Sequence, residues 1–412
     1  MRSLVTVVVS AVVVAALAGA WLWTRRDPEP PAAGVPLALA QDRAARISNL
    51  KYDAKFRIPA ARGEPVRGTV AVRFSLKDAA GAIALDFAQP AGSVGAVLAN
   101  QRAIAPVIGN GHIVIPSRAL TAGENVVEID FVAGDAALNR NDEFLYSLFV
   151  PARASIAMPC FDQPDLKARW TLSLTVPAGW TAVSNGRETR RTPAADPTFH
   201  EILFAETEPL STYLAAFAAG KFSVETSTVN GREFRMFHRE TDAAKVARNS
   251  GAIFDLHARA LAWLEEYTGI PYPWGKFDFV AIPSFQFGGM EHAGAIFYSA
   301  NGLLLDETAT QNQFLGRAAV IAHETAHMWF GDLVTMRWFN DVWMKEVFAN
   351  FMAAKIVNPS FPRVNHDLRF LLAHYPGAYQ VDRTAGANPI RQPLANLEEA
   401  GQLYGPIIYQ KA

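Results

Sequence analysis

His323, Glu324 and His327 carry the clearest chemistry in the chain. Two histidines four residues apart lie on one face of a helix, one turn apart. A zinc ion about 2 Å from each ring nitrogen can bridge them. Glu324 follows His323 and is offset around the helix, so it can face a water on that metal without ligating it. A catalytic zinc takes three protein ligands and keeps a fourth position for water or substrate. Glu346 is the candidate third ligand. Such a set points to hydrolysis of a carbonyl bond, with the metal activating water and Glu324 as general base.

Two helices must position these groups. Residues 314–330 hold no Pro and one Gly near the start, and Gly331-Asp332 offers a stop. A second helical stretch opens near Asn340-Asp341, natural N-cap residues, and runs through Val342, Trp343, Val347, Phe348, Phe351 and Met352. It stops before Asn358-Pro359. A bend between them can bring Glu346 against the histidine pair. Asp332 and Asp341 are each either a helix cap or a group that orients a histidine.

His323-Glu324-x-x-His327, eighteen residues and then Glu346 resembles the gluzincin pattern of the aminopeptidase N family. Gly288-Gly289-Met290-Glu291-His292-Ala293-Gly294 is similar to that family's exopeptidase block, Gly-x-Met-Glu-Asn. Tyr409-Gln410-Lys411-Ala412 is similar to the start of its Tyr-x-Lys-Gly block, and Pro159-Cys160-Phe161-Asp162-Gln163-Pro164 to a marker of its N-terminal domain. The likeness runs from about Ile47 to the last residue, with the blocks in family order. It implies one zinc per chain on His323, His327 and Glu346, and catalysis by Glu324 with Tyr409 as donor to the tetrahedral oxyanion. It also implies that Gly288, Gly289, Met290 and Glu291 bind substrate, Glu291 taking the free α-amine of a peptide. A thermolysin-type endopeptidase and a non-catalytic scaffold on the same fold are the alternatives.

Three positions depart from the family pattern. His292 stands where Asn is usual, and Val347 where Gly is usual. Val150 aligns with an acidic or amide residue that helps grip the amine. Ala412 falls inside a block that continues in the family, so the sequence is expected to be a fragment of a longer protein. Phe348, Phe351 and Met352 are then expected to be exposed, and Tyr409 to sit on a frayed end.

The rest of the 412 residues sets the frame. Half are hydrophobic, 19% are charged and the formal net charge is -1, which favours a globular chain and gives no footprint for nucleic acid. The single cysteine, Cys160, excludes an internal disulfide. Leu4 to Trp23 is free of charge, with Arg2 before it and Arg25 and Arg26 after it. That length suits a membrane anchor better than a cleaved signal peptide, and either reading exports the protein to the cell envelope. Residues 25–46 are expected to be a linker.

The expected fold is α+β. An N-terminal β-sandwich or saddle domain covers 47–220, with alternating runs at Thr69 to Phe74, Val126 to Phe131 and Thr171 to Val176. A thermolysin-like, mainly helical catalytic domain follows over 221–412, incomplete at its end. It contains a long helix over Ala243 to Tyr267, a strand at Phe277 to Ile282 and a helical stretch near 360–374. The oligomeric state, the preferred N-terminal residue and the natural substrate leave no mark in the sequence.

Overall fold

The computed structural model describes residues 28–412, so the apolar run from Leu4 to Trp23 lies outside the described residues. A β-rich region comes first and a region of helices around a sheet follows. Helix α1 (Leu37–Arg46) leads directly into strand β1 (Ile47–Arg57). The expected linker over 25–46 is therefore corrected: its second half is a packed helix. The reason is one side chain. Arg43 is buried, and its guanidinium forks onto Asp86, Nη1 to Oδ2 at 2.8 Å and Nη2 to Oδ1 at 2.6 Å. A bidentate pair of this kind fixes a short helix that propensity alone would leave marginal.

The first region is built on an eight-stranded sheet. At its centre β1 lies between β2 (Arg67–Leu76) and β4 (Arg169–Pro177), and β2 pairs on its other side with β3 (Gly123–Val132). β1 runs parallel to β4 and antiparallel to β2. Each strand buries alternate residues: Val70, Val72, Phe74 and Leu76 on β2; Val127, Ile129 and Phe131 on β3; Trp170, Leu172, Leu174 and Val176 on β4. That is the period-2 pattern of a sheet covered on one face. Cys160 is buried in the same core.

The second region opens with a sheet that the sequence largely hid. Strands β5 (Ser223–Val229), β6 (Arg232–His238), β7 (Phe277–Ile282), β8 (Gly289–Met290) and β9 (Ala295–Ser299) form five strands in the order β5-β6-β7-β9-β8. The region is mainly helical as expected, and its helices pack around this mixed sheet. β8, the edge strand, pairs antiparallel with β9 through Gly289–Tyr298 and Met290–Phe297. Helix α2 (Ala243–Thr268) starts on Asp242, whose carboxylate accepts from the amides of Ala244 and Lys245, and ends on Gly269 at φ 67°. It packs with β7, α3 (Gln311–His327) and α4 (Val342–Val357) in a shared core that includes Phe279, Ile321, Ala326, Ala349 and Met352. Helix α5 (His366–Asp382) lies further out, with Leu368, Phe370, Leu371 and Leu372 exposed.

Candidate active site

Helix α3 begins three residues before the expected start because Thr310 and Gln313 form a reciprocal capping box. It ends at His327, and the chain turns at once through Phe330 and Gly331. Gly331 has φ 139°, and a Cβ there would stand 3.2 Å from His327 Nδ1. Helix α4 buries Val342, Lys345, Glu346, Ala349, Met352 and Ala353, a single stripe at helical spacing. Alanines on both sides of the contact, Ala318 and Ala322 on α3 with Ala353 on α4, let the helices approach closely. Close approach is what carries Glu346 to the histidines.

The two imidazoles turn their Nε2 atoms toward each other, 3.0 Å apart. Glu346 Oε2 lies 3.4 Å from His323 Nε2 and 3.6 Å from His327 Nε2. A tetrahedral centre with bonds of about 2.0–2.1 Å has ligand–ligand edges near 3.3 Å, so this triangle fits one metal ion. The outer nitrogens settle the tautomers. His323 Nδ1 lies 2.9 Å from Asn350 Oδ1 and His327 Nδ1 lies 3.0 Å from the Phe330 carbonyl, so each Nδ1–H donates outward. Three electron-rich atoms are then left facing one point with no proton among them. That arrangement suits a cation. Asp332 and Asp341 do not orient the histidines. Asp341 pairs with Arg391, while Asp332 is fully buried and burial holds its carboxyl well above the usual range, with the Glu291 charge adding to the rise.

Glu324 projects from the same helix into a second cluster. Its carboxylate, that of Glu291 and a His327 nitrogen lie within 4.8 Å of one another. Burial pushes the Glu324 carboxyl up to about 8, and the Glu291 and Glu346 charges add to the rise. Gly289 makes room for it. A Cβ on Gly289 would stand 2.5 Å from Glu324 Cγ and Cδ. The close approach at this glycine is therefore to Glu324 itself. Gly288 is not crowded, with Val320 the nearest side chain at 3.6 Å.

Sequence reasoning missed Lys345. It is buried on α4 beside Glu346, and its ammonium donates to Glu291 Oε1 and, at 2.8 Å, pairs with Glu346 Oε1. The rings of Tyr213 and Tyr404 lie 5.7 and 5.9 Å from Nζ. Burial opposes its charge, but Glu291 and Glu346 hold its pKa well above the usual lysine value. Burial would likewise raise the Glu291 carboxyl, yet Lys345 brings it down to about 2. The available signal was a lone cation in the apolar run from Val342 to Met352.

These groups line one cavity of about 1080 Å³ with Val150, Gly288, Gly289, Met290, Tyr404 and Tyr409. Tyr409 is not frayed. Its turn, Ile407–Lys411, buries Ile407 and Ile408, and Asn350 Nδ2 donates to the Tyr409 carbonyl at 3.1 Å. Of the departures, Val150 lines the cavity. His292 is fully buried, its ring 4.6 Å from that of Phe297, and does not reach the cavity.

Residues 253–412 match the model of the peptidase family M1 domain, and residues 136–214 match the peptidase M1 N-terminal domain. The chain belongs to the M1 peptidase family. The shorter match lies in the β-rich region, and the longer one covers the helices around the cavity. This M1 chain is 36% identical over 277 residues to a puromycin-sensitive aminopeptidase of Caenorhabditis elegans, covering 66% of its own length and 29% of the relative. It is 34% identical over 265 residues to aminopeptidase M1-A of Oryza sativa subsp. japonica. A leucyl aminopeptidase of Saccharolobus solfataricus is 32% identical over 273 residues, 64% of this chain and 33% of that protein. The matches thus span about a third of these curated relatives or less.

Proposed function

We propose that this M1 chain is part of a zinc-dependent aminopeptidase that removes N-terminal residues from peptides. The observation that carries the reading is the triangle of His323, His327 and Glu346, with Glu324 and Glu291 at hand in the same cavity. Zinc held there supplies Lewis acidity, acidifying water to near-neutral pKa and polarising a carbonyl. Glu324 takes a proton from the attacking water and delivers it to the leaving amine. Tyr409 remains a neutral phenol, because burial raises its pKa, and donates a hydrogen bond to the carbonyl oxygen as charge develops. Glu291, kept ionised by Lys345, receives the amine end of the peptide.

The endopeptidase and scaffold alternatives make different predictions. The test is cleavage of aminoacyl reporters by the zinc-loaded chain, beside a peptide blocked at both ends. Reporter cleavage that disappears with a chelator and returns with zinc is the expected result. Cleavage of the doubly blocked peptide at internal bonds instead makes it an endopeptidase, and no metal-dependent cleavage of either overturns the enzyme reading.

We also infer export to the cell envelope through residues 1–24. The uncharged run from Leu4 to Trp23 supports it. Among the described residues no helix is long and apolar enough to cross a membrane. Recovery of a tagged full-length chain only in the soluble cytoplasmic fraction would overturn it.

A further inference from the structure

Tyr409 is held from outside the catalytic helices. Between α5 and Tyr409 the chain runs through loops and one 3₁₀ segment, Leu397–Leu403. A stretch of this kind has little rigidity of its own and takes its place from what it packs on. Leu394, Leu397, Ala400, Leu403 and Ile408 are buried in the core that continues through the β-rich region, and Tyr404 and Tyr409 pack against it. The entry to the segment is fixed by the strap of residues 32–37, which precedes β1. Leu37 N donates to the Ala395 carbonyl at 2.9 Å and Leu397 N to the Val35 carbonyl at 3.0 Å, an antiparallel bridge of Pro36 with Asn396. The Asn396 side chain closes the joint across 361 positions of sequence: Oδ1 accepts from Val35 N at 2.9 Å, and Nδ2 donates to the Ala33 carbonyl at 2.8 Å. The same Oδ1 accepts from Glu398 N at 3.1 Å and caps the 3₁₀ segment. Gly34 adopts φ 72°, and a Cβ there would stand 2.4 Å from Asn396 Oδ1. The strap is in turn fastened to the β-rich region. The Ala32 carbonyl lies 2.9 Å from His112 Nε2, the Pro31 carbonyl accepts from Asn110 Nδ2 at 3.0 Å, and Arg43 on α1 forks onto Asp86.

We propose that Asn396 is a positioning residue for the reaction: joined to the strap, it sets where the Tyr409 hydroxyl stands as charge develops on the carbonyl oxygen. The inference rests on the aminopeptidase function proposed for the cavity. An oxyanion donor contributes from its working position, and a misplacement of about 1 Å costs up to about a hundredfold in rate. The metal ligands stand on α3 and α4, away from this joint, so zinc binding does not depend on it.

Hydrogen exchange and turnover read the proposal together, on the zinc-loaded chain. Asn396→Ala opens the joint from one side. Gly34→Ala displaces the same side chain from the strap, and it decides should Asn396→Ala fail to fold. In either variant the amides of Ile408 and Tyr409, which donate to the Gly405 carbonyl, are expected to exchange at least about tenfold faster, with residues 314–327 within about twofold of the parent. The kcat for an aminoacyl reporter should fall about tenfold while KM stays within about twofold. In a Tyr409→Phe chain, which has already lost the donor, the same substitution should cost less than about twofold. Unchanged exchange at Ile408 and Tyr409 in a folded variant overturns the proposal. So does a fall in kcat as large in the Tyr409→Phe chain as in the parent. A parent chain that cleaves no reporter removes the aminopeptidase function, a different result, and exchange alone then decides whether Asn396 places the Tyr409 turn.

Discussion

Two buried lysines sit in the second region, and they do opposite things. Lys276, just before β7, donates to Asp278 Oδ2 at 2.8 Å and to the Gly294 carbonyl at 2.6 Å. Arg235 donates to the same carboxylate, Nε to Oδ1 at 2.9 Å. Two cations share one anion, Arg235 reaches solvent, and burial pulls the Lys276 pKa down. Lys345 faces two carboxylates, Glu291 and Glu346, with Glu324 nearby, and its pKa goes up. The first cluster is closed and ties β7 to the turn after β8. The second carries an excess of negative charge, opens on a cavity, and includes histidine lone pairs aimed at one point. A buried charge excess is costly unless something outside the chain completes it. That difference separates a structural ion cluster from a site.

The largest effect should come from breaking the closed cluster. Asp278→Ala leaves Lys276 buried without its anion, which costs about 3–5 kcal/mol of stability for a pair of this kind. Glu291→Ala leaves Lys345 still paired with Glu346 and should cost less than half as much. Denaturant unfolding of both variants measures the contrast, and equal losses would abolish it.

Next comes the chemistry that the open cluster supports. Glu324→Gln keeps the histidine–glutamate triangle and removes the proton acceptor. Metal content should hold while turnover falls by at least ~100-fold, the usual scale for a general base. Near-normal turnover with zinc bound would take the role from Glu324.

A smaller effect tests the outer layer of the site. Asn350 holds His323 Nδ1, whereas Asp341 is occupied by Arg391. Asn350→Ala should weaken zinc binding by about 10–100-fold, as loss of a ligand-orienting partner usually does. Asp341→Ala should leave it within about twofold. Competition against a chromogenic chelator reads both.

The uneven legibility of the sequence follows the same division. The histidine pair and Glu346 could be read because a helix repeats every 3.6 residues and their spacing shows one face. β2, β3 and β4 could be read because a half-covered sheet alternates. β5 could not: Ser223–Val229 is rich in Ser and Thr, and none of its residues is buried. Lys345 was missed because its partner Glu291 is 54 positions away and reaches it from a different element. Asn350 was missed in favour of Asp332 and Asp341, since carboxylates near a metal motif attract attention that an amide does not. Phe348 and Phe351 are exposed as expected, but Met352 turns into the core on the α3 side of the helix.

The smallest effect probes the closed side of the comparison once more, through a buried group that must not ionise. His257 on α2 is fully buried, its ring stacked on Phe279 at 4.2 Å. Nδ1–H donates to the Ile253 carbonyl at 2.8 Å, which leaves Nε2 to accept from the Tyr298 hydroxyl at 3.1 Å. Burial lowers its pKa to about 3, with the Ile253 carbonyl opposing. The unfolded chain has an ordinary histidine near 6.5 and binds the proton first as pH falls. The folded state therefore has its full stability from this group above pH 6.5 and loses it progressively as pH drops from there through about 3. Between pH 6.5 and 5.5 the loss is about 1 kcal/mol. His257→Gln keeps a donor and an acceptor but cannot titrate. Its metal-free unfolding free energy should therefore fall less steeply over that unit of pH, by about the same 1 kcal/mol, whatever its starting stability. Every other group is common to both chains and cancels in the difference. Identical slopes for the two chains would mean that His257 is protonated within the fold, and that this side of the molecule tolerates charge as the open cluster does.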